Sequence, residues 1–294
     1  MSTFVELAVT GLSLGALYFL VAGGLSLIYG LMRVLNLAHG AFLTVGAYLG
    51  YEIGAHAGRA AHGWPVFFLA LLVGAASSAV FAALTELLLI RRLYEREIEQ
   101  VLVTLGVSFA AIAVVTGVWG NDAIPFPAPD WTQRTTTVLG AAIPNKGFVC
   151  IIAAAVVLGL LLILLRRTRY GLVIRAGVEN RAMVTALGID VRRYFTVVFT
   201  LGGAVAGLGG VLASLFFDNV SPDRGNSLLI FAFIVVVIGG VGSLVGSAIA
   251  AAVMAEVQQF VNFYGATGLG DFSVVLVLAI VLLARPGGLI GRAA

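Results

Sequence analysis

The chain has 294 residues, of which 61% are hydrophobic and 11% charged, with a formal net charge of +3. Soluble domains carry roughly 25% charged residues, so the composition excludes an ordinary soluble fold and reads as an all-α polytopic membrane protein. The lone cysteine, Cys150, excludes an intrachain disulfide or a thiolate metal site, and its mid-span position makes it a packing residue.

Eight apolar runs are long enough to cross a core of about 30 Å at 1.5 Å per residue. They are Val5 to Leu31, Leu37 to Ile53, Trp64 to Ile90, Val101 to Trp119, Phe148 to Leu165, Phe195 to Phe217, Leu228 to Tyr264 with internal breaks, and Phe272 to Ala284. Backbone groups in lipid must be satisfied internally and strand-like alternation is absent, so about eight transmembrane helices are expected. The first run lacks a basic n-region and a small-residue cleavage site, and reads as a retained span. The chain forms one transmembrane domain, 1–294, with no soluble domain and no long internal repeat.

The second run opens on NLAHGAFLTVGAYLGY, where Asn36 is placed to cap the helix and His39 lies one turn in, near the inner interface. Asn36, His39 and Gly40 are pathway candidates, because polar groups within spans are functional candidates by default. Glu86, close to Arg91, reads as a snorkelling or paired interface charge. The segment Gly120 to Gly147 holds four prolines and reads as an outer lid or docking surface.

The segment Arg166 to Tyr194 carries seven arginines and two acids between apolar spans. Its centre, GVENRAMVTALGID, reads as a short amphipathic helix, with Asn180 as cap, an apolar stripe of Val178, Ala182, Met183, Ala186 and Leu187, and Gly188 as a left-handed stop. Such a loop is built to meet another protein. With Arg91, Arg92 and Arg96 placed inside, thirteen of the 17 basic residues share that face and Arg59, Arg134, Lys146 and Arg224 lie outside. The positive-inside rule then places the N-terminus outside and the C-terminus in the cytoplasm. The arginines therefore follow membrane topology and do not mark a nucleic-acid surface.

Glycine, with 37 residues, concentrates within the spans. Small-xxx-small pairs at Gly11 and Gly15, Gly46 and Gly50, Gly203 and Gly207, and Gly242 and Gly246 suit close helix packing. The cluster Gly239, Gly240, Gly242 and Ser243 interrupts the longest run near its middle and reads as a glycine-broken helix, a re-entrant hairpin or a turn between two short spans, with its backbone a pathway candidate. The orientation of Glu256, which follows it, is left open.

Four segments in this order, NLAHGAFLTVGAYLGY, GVENRAMVTALGID, GGVGSLVGS and RPGGLIG, resemble the permease subunits of ABC importers for branched-chain amino acids, a family shared with urea and amide importers. The resemblance runs from Gly11 to Gly291. It implies that 166–194 is the cytoplasmic coupling loop, with Arg175, Glu179, Asn180, Ala182, Met183, Ala186, Gly188 and Ile189 meeting an ATPase groove. The family's glutamate-alanine-alanine beginning is not reproduced, since Glu179 is followed by Asn180 and Arg181. It also implies two ATP-binding subunits, a second related permease or a second copy, an external solute-binding protein, a small-molecule substrate and an inner-membrane location. No cofactor, metal or catalytic residue is expected. The sole lysine, Lys146, lies in no phosphate-binding loop, so the chain is not its own ATPase.

A urea or short-amide importer permease shares this scaffold. A secondary transporter would want intramembrane carboxylates and an internal repeat, and a channel leaves the basic loop without a role. A serine protease built on Gly11-x-Ser13-x-Gly15 and His39 fails, because the nucleophile elbow needs a strand-to-helix turn and this pattern lies in a continuous apolar run.

Overall fold

The computed structural model describes residues 2–58, 62–94, 96–179, 181–266, 268–285 and 287–290, without the side chains of 178, 179, 181 and 182. In chain order the helices are α1 (Ser2–Met32), α2 (His39–Ala55), α3 (Trp64–Leu88), α4 (Glu97–Trp119), α5 (Asn145–Arg167), α6 (Arg169–Glu179), α7 (Arg181–Ala186), α8 (Val191–Phe217), α9 (Arg224–Gly239), α10 (Leu244–Tyr264) and α11 (Leu269–Ala284). Among the described residues α1, α3, α4, α5, α8 and α10 are long and apolar enough to cross a membrane, and α9 and α11 are shorter apolar helices. The protein is an all-α multi-pass membrane protein with a small β cap. The longest apolar run divides into α9 and α10 at Gly240 (φ +93) and Gly242 (φ +81), a backbone that side-chain-bearing residues resist.

Local chemistry sets the ends. Asp190 starts α8 by accepting from the Arg192 amide, and Ser243 starts α10 by accepting from the Gly246 amide at 3.0 Å. The segment after α4, read from sequence as an irregular lid, contains strands β1 (Ile124–Pro125), β2 (Thr135–Val138) and β3 (Ala141–Pro144). Strands β2 and β3 pair antiparallel across a two-residue turn, Leu139 and Gly140, both with positive φ as a type I′ turn requires. Strand β4 (Asn219–Val220), just after α8, pairs with β1 and ties this cap to the bundle. Cys150 is buried in the second turn of α5, near this hairpin end and away from mid-span.

Helix α8 is the axis, packed against α1, α2 and α3. Its glycines bring backbones into contact. A Cβ on Gly207 would overlap the Gly74 carbonyl oxygen of α3, and one on Gly74 would lie 2.8 Å from the Gly46 carbonyl oxygen of α2. Lipid offers no hydrophobic drive between helices, so dispersion and weak polar contacts at this spacing hold the bundle.

Gly207→Ala should therefore destabilise the bundle by about 1–3 kcal/mol, as overpacking does. Gly159→Ala, whose Cβ would meet nothing within 4 Å, should be neutral or slightly stabilising. Thermal unfolding of both variants in one detergent checks this, and equal melting would refute the glycine contact as a constraint.

Candidate functional site

The arginine-rich loop folds as two helices where the sequence suggested one. Thr168 accepts from the Gly171 amide at 3.1 Å and starts α6, which runs to Glu179, so Val178 and Glu179 end this helix and do not lead into the next. Asn180 lies outside the described residues, as do the side chains of Val178, Glu179 and Ala182, so the proposed cap and that part of the stripe have no structural counterpart here. Helix α7 ends as expected at Gly188, φ +80. The Gly188 amide donates to Thr185 O at 2.9 Å and the Ile189 amide to Val184 O at 3.4 Å, the two bonds of a Schellman stop.

The helix has two faces. Val184 is buried with Val191 and Phe195 of α8, against partly buried Met32, Tyr94, Val173, Ala176 and Ile189. Ala186 points outward with Met183 (63% exposed) and Leu187 (71% exposed), the latter two four residues apart. Met183 and Leu187 are thus exposed apolar side chains on the face of α7 opposite its buried footing. Arg175 is exposed on α6, and its Nε donates to Gly171 O at 3.3 Å.

Glu86 corrects the sequence reading. It is fully buried and makes no ion pair among the described residues. Its carboxylate accepts from the Tyr94 hydroxyl, between α3 and α4, and from Thr196 Oγ1 of α8 at 2.7 Å. The α3–α4 connection and the base of α8 are thereby joined beside the loop's apolar footing.

Asn36, His39 and Gly40 sit where the chain breaks at depth. After α1 ends, Arg33 turns the backbone at φ +54, and Val34, Asn36, Ala38 and His39 are buried. Ala38, not Asn36, occupies the helix cap, and Asn36 Oδ1 accepts from the Ala38 amide at 3.1 Å. His39 is the first residue of α2, and its Nε2 lies 2.9 Å from Val21 O. Val21 precedes Met32 by 11 residues, about 16 Å along α1, so His39 lies deep in the bundle and not at the inner interface. Asn36 Nδ2 and His39 Nδ1 are buried without a hydrogen-bond partner.

The structure adds residues to this seam. Gln100, Thr104 and Ser108 form the buried polar edge of α4 at four-residue spacing, a stripe legible in the sequence but overlooked against the apolar count. The Leu37 amide donates to Thr104 Oγ1 at 3.2 Å, and Ser108 Oγ donates to Asn226 Oδ1 of α9 at 3.3 Å. Arg224, placed outside from sequence, is half-buried with its Nε unpaired and Nη2 donating to Asn219 Oδ1 at 2.9 Å. It borders a small gap with Thr44, Ser214 and Ser221.

Gly239, Gly240, Gly242 and Ser243 do not join that seam. They form the turn between α9 and α10, packed on Gly30 near the end of α1 and on Gly288. The Leu289 amide donates to Ile238 O at 2.7 Å and stitches the C-terminal segment onto the turn. Val241 borders a cavity of about 340 Å³ with Tyr29, Arg33, Leu35 and Glu97, at the arginine-rich end. Glu256 packs against Gly11 of α1.

Residues 7–285 match the family model described as the permease component of the branched-chain amino acid transport system. The chain is 26% identical over 297 residues to the high-affinity branched-chain amino acid transport system permease protein LivH of Salmonella typhimurium, covering 98% of this chain and 96% of the relative. It is 27% identical to the corresponding protein BraD of Pseudomonas aeruginosa, with the same coverage, and 28% identical to the fructose import permease protein FruF of Bifidobacterium longum, over 95% and 77% of the two chains. No solved structure matches.

A Cβ at Gly188 would meet nothing within 4 Å, so the demand there is conformational alone. Gly188→Val should cost about 1–2 kcal/mol of left-handed strain and fray the end of α7, whereas Gly188→Asn should cost less. Hydrogen exchange of the Ile189 amide reads this, and protection unchanged in the valine variant would refute it.

Proposed function

This chain belongs to the family of branched-chain amino acid transport system permease components, and we propose that it is the inner-membrane permease subunit of an ATP-driven importer for branched-chain amino acids. The observation that carries the coupling part of this reading is α7, whose exposed Met183 and Leu187 stand on a buried footing at the base of α8. An ATPase subunit covering that face would push on α8, α1 and the α3–α4 connection together. Since the chain holds no phosphate-binding loop, two such subunits would supply the energy, with a second permease or a second copy completing the pathway and an external binding protein delivering solute.

Alternating access needs a bundle with two packings that the partners bias differently. The seam of Asn36, His39, Thr44, Thr104, Ser108 and Asn226 is polar and uncharged by type apart from the titratable imidazole. Arg224 adds a guanidinium toward the hairpin end. That combination suits a solute that is neutral overall and bears one carboxylate, such as an amino acid zwitterion. A urea or amide would have no use for the guanidinium, which ranks that alternative second.

Three outcomes follow. Leu187→Glu puts a charge on the exposed face of α7 without disturbing its buried side, and should lower co-purification of the ATPase subunits at least about tenfold, the effect of roughly 1.4 kcal/mol. Retained co-purification and uptake would make the loop a plain connector. Arg224→Gln should reduce uptake of leucine at limiting concentration while leaving subunit assembly intact, and unchanged uptake would remove Arg224 from the pathway. For orientation, cysteine introduced at Arg175 should be labelled only from the cytoplasm and at Leu139 only from outside.

A further inference from the structure

Arg91 lies just beyond α3, and among the described residues it has no carboxylate within ion-pair distance. The acid expected to neutralise it, Glu86, is turned inward and held by Tyr94 and Thr196. Arg91 instead borders a groove of about 340 Å³ between the end of α3 and the first turns of α8, together with Arg193, Thr196 and Thr200 and the apolar Leu87 and Val197. Among the described residues Arg193 pairs with Asp190 alone, through an exposed contact at 3.1 Å. Two guanidinium groups from separate elements thus share one groove with a single solvent-screened acid beside them.

The groove is amphipathic along its length. Beside the arginines it is lined by Leu87, Val197 and Leu201, of which Leu87 and Val197 are exposed apolar side chains on membrane-spanning helices. The threonine hydroxyls have committed their protons, Thr200 to Thr196 O at 2.8 Å and Thr196 to Glu86 or to Arg192 O, which leaves their oxygens as acceptors. A ligand that fits carries an anion for the arginines, hydroxyls for the threonines and an acyl chain for the leucines.

We propose that this groove binds an anionic phospholipid with a hydroxylated headgroup, its phosphate held between Arg91 and Arg193. Guanidinium groups hold phosphate through paired donors, and each basic side chain near a membrane surface adds about 1 kcal/mol, or about fivefold in affinity. The bound lipid would clasp α3 to α8 beside the footing of α7, and this inference does not depend on which solute is carried.

The test uses the assembled complex, delipidated in a neutral detergent and titrated with phosphatidylglycerol, phosphatidylcholine or inorganic phosphate, with bound lipid read by native mass spectrometry and stability by thermal unfolding. Phosphatidylglycerol should remain bound and raise the melting temperature, and the other two should do neither. Arg91→Gln should weaken phosphatidylglycerol binding about fivefold, and adding Arg193→Gln should bring the loss to about 30-fold. Arg91→Lys, which keeps the charge but loses the paired donors, should bind better than Arg91→Gln and more weakly than the unaltered protein. Val197→Trp, which fills the groove without altering charge, should abolish it and serves should the arginine variants melt before lipid is added. An equal response to phosphatidylcholine, a full response to inorganic phosphate, or undiminished binding in Arg91→Gln and Val197→Trp overturns the proposal.

Discussion

The architecture depends on close backbone approach at Gly46, Gly74 and Gly207, where α2, α3 and α8 meet around the small side chain of Ser78. In water such helices would be driven together by apolar burial; in lipid that drive is absent, and close approach supplies the attraction. Fixing α8 at this node makes it a stiff member that runs from the arginine-rich end to the β cap. Leu43 and Gly210 repeat the arrangement, since a Cβ on Gly210 would overlap the Leu43 carbonyl oxygen.

Everything attached to α8 inherits that stiffness. At one end the footing of α7 packs on Val191 and Phe195, with Tyr94 in contact, and buried Glu86 bonds Tyr94 and Thr196 across two elements. A buried carboxylate between two hydroxyl donors is costly to break, because removing either donor leaves it partly unsatisfied. At the other end Asp218, in the left-handed conformation, turns the chain into β4, where its carboxylate receives Lys146 of α5. Both ends of α8 are thus clamped to other parts of the fold.

The helical order of the bundle is broken between α1 and α2, where Asn36 and Ala38 are buried outside regular structure. Helices satisfy their own backbone, whereas residues 33–38 must find partners elsewhere. Thr104 of α4 supplies one to the Leu37 amide, and Asn36 supplies another to the Ala38 amide. The Asn36 Nδ2 donor and the His39 Nδ1 acceptor, the latter set by the Nε2 contact to Val21 O, are left buried without partners, a cost this break carries.

Composition and apolar run lengths determined the class, and glycine determined the left-handed stop at Gly188; of the eight spans expected, six helices among the described residues are long and apolar enough to cross a membrane. These are local properties: hydropathy over about 20 residues, charge placement, and a backbone angle that glycine favours. The tertiary structure alone decided the rest. The depth of His39 follows from a broken entry into α2, and the inward turn of Glu86 follows from where Tyr94 and Thr196 fall in space. Thr104, Ser108, Asn226 and Arg224 gain their meaning only when α4 and α9 are brought against α2. Hydropathy reports that a segment enters the membrane and is silent about which face of it meets which neighbour, because that choice is made by contacts between different elements, such as Leu37 with Thr104 and Ser108 with Asn226.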